Sequence, residues 1–176
     1  MRTRCELCEP TSSGTRTWGS PRCRAANRER RSASNFALIG ACSAHWMSGQ
    51  QPPDPGAWSR IDDPVGRLRA GLADLYRFYR AGAGMLANVY RDVTTLPAAH
   101  QKLLRERDNH HCDVLATQFG GTAGQQRRLR AVVGHATSFW TWHSLCAGRG
   151  LSDQEAVEAM TGAVLSVTPG PHAEPA

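Results

Sequence analysis

The sequence predicts an all-α fold, an antiparallel helical bundle, and three observations support this. Apolar side chains recur at three- and four-residue intervals from Phe36 to Leu165. Helix start and stop signals separate these stretches. No run alternates apolar and polar residues as a half-buried strand would, and no internal repeat appears.

Phe36, Ile39, Cys42 and Trp46 share one helical stripe, which predicts a helix over residues 36–47. Gly49 to Pro55 reads as a loop by its Gly, Gln and Pro content. Asp63-Pro64 is a start signal: a carboxylate that caps free N–H groups, then Pro where no amide hydrogen is needed. The helix that follows carries Val65, Leu68, Leu72, Leu75, Tyr76 and Tyr79, and stops near Gly82. A short helix takes Met85, Leu86, Val89, Tyr90 and Val93. After Leu96-Pro97 a longer one carries Leu103, Leu104, His111, Val114 and Leu115, and ends near Phe119. Gly120, Gly121 and Gly124 mark the next turn. One helix is predicted from about Gln125 to Ala147, apolar on more than one face from Val132 onward, as a doubly buried helix is. Ser152 and Glu155 form a capping box for the last helix, which bears Ala156, Val157, Met160, Val164 and Leu165.

The domain is predicted to span 36–167, between a segment 1–35 and a tail 168–176, both disordered. Residues 1–33 offer only Met1, Leu7 and Trp18 as large apolar side chains, too few to offset chain entropy. Eight Arg and three Glu give residues 1–35 a net charge of +5, leaving +1 for the rest. The basic character therefore belongs to that segment, and residues 36–176 lack the positive excess of a folded DNA-binding surface. The segment's arginines suit unspecific phosphate contacts, or else are a solvated or spurious tail, as the lack of interleaved aromatics favours. No apolar stretch is long enough for a membrane span, and no apolar run marks a secretory signal, so the expected location is cytoplasmic. The six cysteines then read as free thiols. Cys5, Cys8 and Cys23 lack the second pair that a structural zinc site needs, and adjacent His110 and His111 point about 100° apart. No metal, cofactor or catalytic motif is expected, and the chain is not read as an enzyme.

Several runs resemble the C-terminal effector and dimerisation domain of TetR-type transcriptional regulators. They are Asp62-Asp63-Pro64 through the Leu68–Tyr79 stripe, Met85-Leu86-Ala87-Asn88-Val89, His135-Ala136 to Phe139-Trp140-Thr141-Trp142, and Gly150-Leu151-Ser152-Asp153-Gln154-Glu155-Ala156-Val157. Ala41 to Trp46 resembles the family's connecting helix, and the likeness covers about 37–167. The family's helix-turn-helix has no counterpart in residues 1–35, where Leu7 and Trp18 supply no core for a recognition helix. A wrong start or a frameshift is the expected origin of that segment. The resemblance implies a pocket for a small hydrophobic effector, lined by Leu75, Tyr79, Met85, Val89, His111, Val114, His135, Phe139 and Trp142. The competing reading is that these residues are ordinary core. It also implies a homodimer built from the last two helices, through Trp140, His143, Val157, Met160 and Val164. Those helices alternatively close the monomer's own core. Function is thus read as a ligand-sensing dimeric regulator domain, with DNA bound only if an intact form supplies the reader. The alternative is a stand-alone small-molecule-binding or interaction protein.

Overall fold

A computed structural model describes residues 40, 41 and 43–168 of the chain. The expectations for 1–35, for Cys5, Cys8, Cys23 and Cys42, and for most of the 168–176 tail lie outside the described residues. The chain divides into two compact units, Met1–His45 and Trp46–Ala176. Among the described residues the secondary structure is entirely helical, and none of the helices is long and apolar enough to cross a membrane.

Helix α1 is helical at 43–48 and ends at Gly49. Helices α2 (Pro55–Ser59), α3 (Pro64–Ala81), α4 (Ala83–Arg91), α5 (Ala98–Ala116) and α6 (Ala123–Ala136) follow. A single 3₁₀ turn, Val93–Thr95, separates α4 from α5. Then come α7 (Phe139–Trp142), which runs into a π-helical segment His143–Gly148, and α8 (Asp153–Leu165).

The starts obey their local chemistry. Asp63 accepts hydrogen bonds from the Val65 and Gly66 amides, and Pro64 opens α3. Ser152 and Glu155 cap α8 reciprocally, and Thr122 and Gln125 do the same for α6. The loop expected over Gly49–Pro55 ends at the start of helix α2, which was not anticipated. This helix is nucleated by the device that starts α3: Asp54 accepts from the Ala57 amide, with Pro55 at the first helical position. Buried Arg67 then closes its far end, donating to the carbonyls of Ile61 and Ser59 at 2.9 Å each.

Helix α3 is the centre of the unit and packs against α2, α4, α5, α7 and α8. Leu68, Leu72, Leu75 and Tyr76 lie on one side and are fully buried. Each buried leucine stabilises the fold by about 1.5–3 kcal/mol. Ion pairs Arg69–Glu158 and Arg80–Asp153 show that α3 and α8 run antiparallel. Helices α5 and α6 also run antiparallel, joined by Arg130 to Asp113 and by the Gln126 side chain to the Phe119 carbonyl.

Gly71 lets α3 and α5 approach closely. A Cβ built there stands 2.5 Å and 3.0 Å from the two methyls of fully buried Leu115. Alanine gains up to about 1 kcal/mol of helix propensity, but overpacking costs about 1–3 kcal/mol. Gly71→Ala is therefore expected to lower the unfolding midpoint in urea, and pairing it with Leu115→Ala to recover part of that loss. A Gly71→Ala chain as stable as the native one would show that the two helices do not meet here.

Candidate functional site

The long helix expected from 125 to 147 is interrupted at Thr137-Ser138. The Ser138 hydroxyl caps the new start by accepting from the Trp140 amide at 3.3 Å. Three successive carbonyls at the break accept from hydroxyls; the first also accepts from the Ser138 amide at 3.1 Å, and the other two have no backbone donor among the described residues. Thr141 Oγ1 donates to the His135 carbonyl at 2.6 Å, Tyr76 Oη to Ala136 at 2.8 Å, and Tyr79 Oη to Thr137 at 2.7 Å. The phenols come from α3, so tertiary contacts hold the break. Burial pushes both phenols well above the usual tyrosine range, so they remain donors.

The break forms one wall of a cleft of about 460 Å³. Thr137, Ser138 and Phe139 supply this wall, and Arg130, Ala131 and Gly134 of α6 continue it. Tyr90 of α4 and Asp108, Asn109 and Cys112 of α5 face them. The Tyr90 and Phe139 rings stack, centroids 5.3 Å apart and planes inclined by 7°. Arg107 fixes the polar end of Tyr90: its Nη2 donates to Tyr90 Oη at 2.6 Å, and its Nε and Nη2 reach Asp108 at 3.1 and 3.0 Å. Tyr90 in turn donates to Asp108 at 3.2 Å. Burial raises the Tyr90 hydroxyl above its ordinary range; Arg107 opposes this and Asp108 adds to it. Burial also raises the Cys112 thiol, which donates to the Arg130 carbonyl at 3.4 Å, so a protonated thiol and not a nucleophile lines the cleft. Among the described residues no group of three or more His, Cys, Asp or Glu side chains is placed to hold a metal ion.

Of the residues expected to line a pocket, only Phe139 lines this cleft. Leu75, Tyr79 and Trp142 are close-packed core, with Tyr79 and Trp142 5.5 and 5.7 Å from the Phe139 ring. Met85, Val89 and Val114 are half-buried, and His135 is exposed on α6. Of the residues expected at a dimer contact, Trp140 is 44% exposed and His143 and Met160 are half-buried. Val157 and Val164 are buried, because α8 turns that side onto the chain's own helices, and they offer no surface to a partner. Tyr90, Arg107, Asp108, Asn109 and Arg130 were not anticipated. They come from three helices, and apart from the consecutive Arg107, Asp108 and Asn109 no local spacing in the sequence links them.

His111 is buried and does not line the cleft, its ring 5.5 Å from that of Trp58. Burial, reinforced by Arg107 and His110 and opposed by Asp108 and Asp74, pulls it down to about 4. Between that value and the ordinary 6.5, the unfolded chain binds a proton that the folded chain does not. Stability should therefore rise with pH across this window, by at most about 1.4 kcal/mol per unit from this group. Urea midpoints measured through the window should show a shallower slope in His111→Leu. Identical slopes would remove His111 from the account.

No protein-family model, no curated protein and no solved structure matches the chain.

Proposed function

We propose that the domain is a ligand-sensing, self-associating module of the kind that forms the effector half of TetR-like transcriptional regulators. The observation that carries this reading is the position of Phe139. Phe139 is among the residues that line the cleft, and its buried ring meets Trp140 at 5.1 Å and His143 at 5.6 Å, two residues of the expected dimer contact. One residue thus joins the cleft to the half-exposed Trp140, and a ligand that shifts it would be felt at the expected dimer contact. In this reading the helices form an antiparallel bundle, and two copies pair through Trp140, His143 and Met160. A small hydrophobic molecule occupies the cleft, and DNA is read by an intact partner chain.

Sedimentation equilibrium of the full chain with and without a ligand found by thermal shift tests the reading. A dimer that Trp140→Arg converts to monomer, and whose dissociation constant the ligand changes, is the expected result. A monomer at all concentrations, or a dimer indifferent to every ligand that binds, rejects it. The chain alone is expected to leave duplex DNA unshifted in a gel. The exposed Trp140 also favours a second reading, a stand-alone interaction protein, which predicts the dimer without any ligand dependence.

A further inference from the structure

We propose that helix α2 is an acid-released strap: when His111 takes up a proton, α2 lifts off α3 and α5 while the rest of the unit stays folded. The proposal depends neither on the cleft nor on self-association.

Helix α2 has five residues, too few to stay helical without tertiary support, and only Trp58 among them is buried. Its attachments are few. The Asp54 amide and the Trp58 indole both donate to Asp74 of α3, at 2.8 and 3.0 Å, and Arg67 holds the carbonyls of Ser59 and Ile61. Helices α3 and α5 are longer, at 18 and 19 residues, and carry fully buried Leu68, Leu72, Leu75 and Leu115. A short, exposed segment on such a base opens at a fraction of the cost of global unfolding.

The acid response comes from what α2 covers. The Trp58 ring lies 5.5 Å from the ring of His111, which is buried on α5. This imidazole has no hydrogen-bond partner among the described residues. Arg107 and His110 of its own helix oppose a proton there; Asp108 of α5 and Asp74 of α3 favour one. Both carboxylates are already engaged. Asp108 accepts from Arg107 and Tyr90, and Asp74 from Arg77, the Asp54 amide and Trp58. From α2 the ring meets an indole, which accepts no proton. A protonated His111 therefore needs water, and displacing Trp58 is the direct way to admit it. Closed, the strap holds His111 at about 4 against the ordinary 6.5. Between these values the open form binds a proton that the closed form does not, so opening gains up to roughly tenfold for each pH unit lost.

Hydrogen exchange of the full chain, followed by NMR across this window and corrected for the intrinsic pH dependence of exchange, tests the proposal. The Trp58 and Ile61 amides, bonded to the Asp54 and Trp58 carbonyls, are expected to lose protection up to roughly tenfold per pH unit as pH falls. Core amides of α3 should keep theirs. His111→Phe keeps a ring against Trp58 but takes no proton, and should hold α2 protection level; circular dichroism checks that it folds. The same fall in His111→Phe would assign the response to carboxylates such as Asp74 and overturn the proposal. Equal losses in α2 and α3, or α2 protection that ignores pH, overturn it too. If His111→Phe does not fold, the His111 ring resonances of the native chain decide. A ring that titrates in step with α2 exchange supports the strap, and a ring that titrates while α2 stays protected overturns it.

Discussion

Phe139→Ala is expected to lower the free energy of unfolding by about 4 kcal/mol, within the usual range for truncating a buried phenylalanine. The ring is 1% exposed and lies against Tyr79, Tyr90, Trp140, Trp142 and His143, with centroids 5.1–5.7 Å away. Aromatic pairs at such separations contribute about 0.5–1.5 kcal/mol each beyond simple burial. A softening factor acts the other way. Phe139 lines the cleft, so the cavity left by truncation joins an existing space that water can enter. The number of ring contacts outweighs this relief. For a domain stable by about 5–15 kcal/mol, the loss removes a large fraction of the total. Urea unfolding followed by tryptophan fluorescence measures it. A loss under about 1 kcal/mol would show that the ring cluster does not pack as described.

The double variant Tyr76→Phe with Tyr79→Phe should lose about 2–5 kcal/mol while removing only two oxygen atoms. Each phenol donates to a carbonyl that no backbone amide among the described residues reaches. Taking away one partner leaves a buried acceptor without a bond, at about 1–3 kcal/mol each. The rings remain, so packing is preserved and the loss reports on the hydroxyls alone. The two losses should not add, because both tyrosines hold the same break. Single and double variants in urea complete the cycle. If the double variant were as stable as the native chain, the break would be held by something other than the phenols.

Much of the helical order was legible because it is encoded locally. Asp63-Pro64 starts α3, Gly82 ends it, and Ser152 with Glu155 starts α8 where expected. Asp54-Pro55 carries the same signal as Asp63-Pro64, and α2 was overlooked because its five residues are too few to show periodicity. The break at Thr137-Ser138 is a different case. Neither residue forbids a helix, and the groups that stabilise the interruption lie 58 and 60 positions away in the chain. The cleft inherits that difficulty. Apolar periodicity found Phe139 but also Leu75, Tyr79 and Trp142, since a core wall and a cleft wall share one pattern. The polar members could not be found by any stripe. Arg107 and Asp108 are drawn into the site by Tyr90, 17 and 18 positions away, and Arg130 comes from a third helix.

Tyr76, Tyr79 and Tyr90 are the three tyrosines of the chain, and burial raises all three above the ordinary value of 10. The folded molecule should therefore be silent in an alkaline optical titration. Absorbance near 295 nm stays level while a free phenol would already be ionising. The upper limit of the fold in alkali is set by the same groups. Their raised values contribute stability that is complete below about pH 10 and drains away above it, as the unfolded chain begins to release protons that the folded chain retains. When the signal comes, all three phenolates should appear in one cooperative step, at the pH where circular dichroism records the loss of helix.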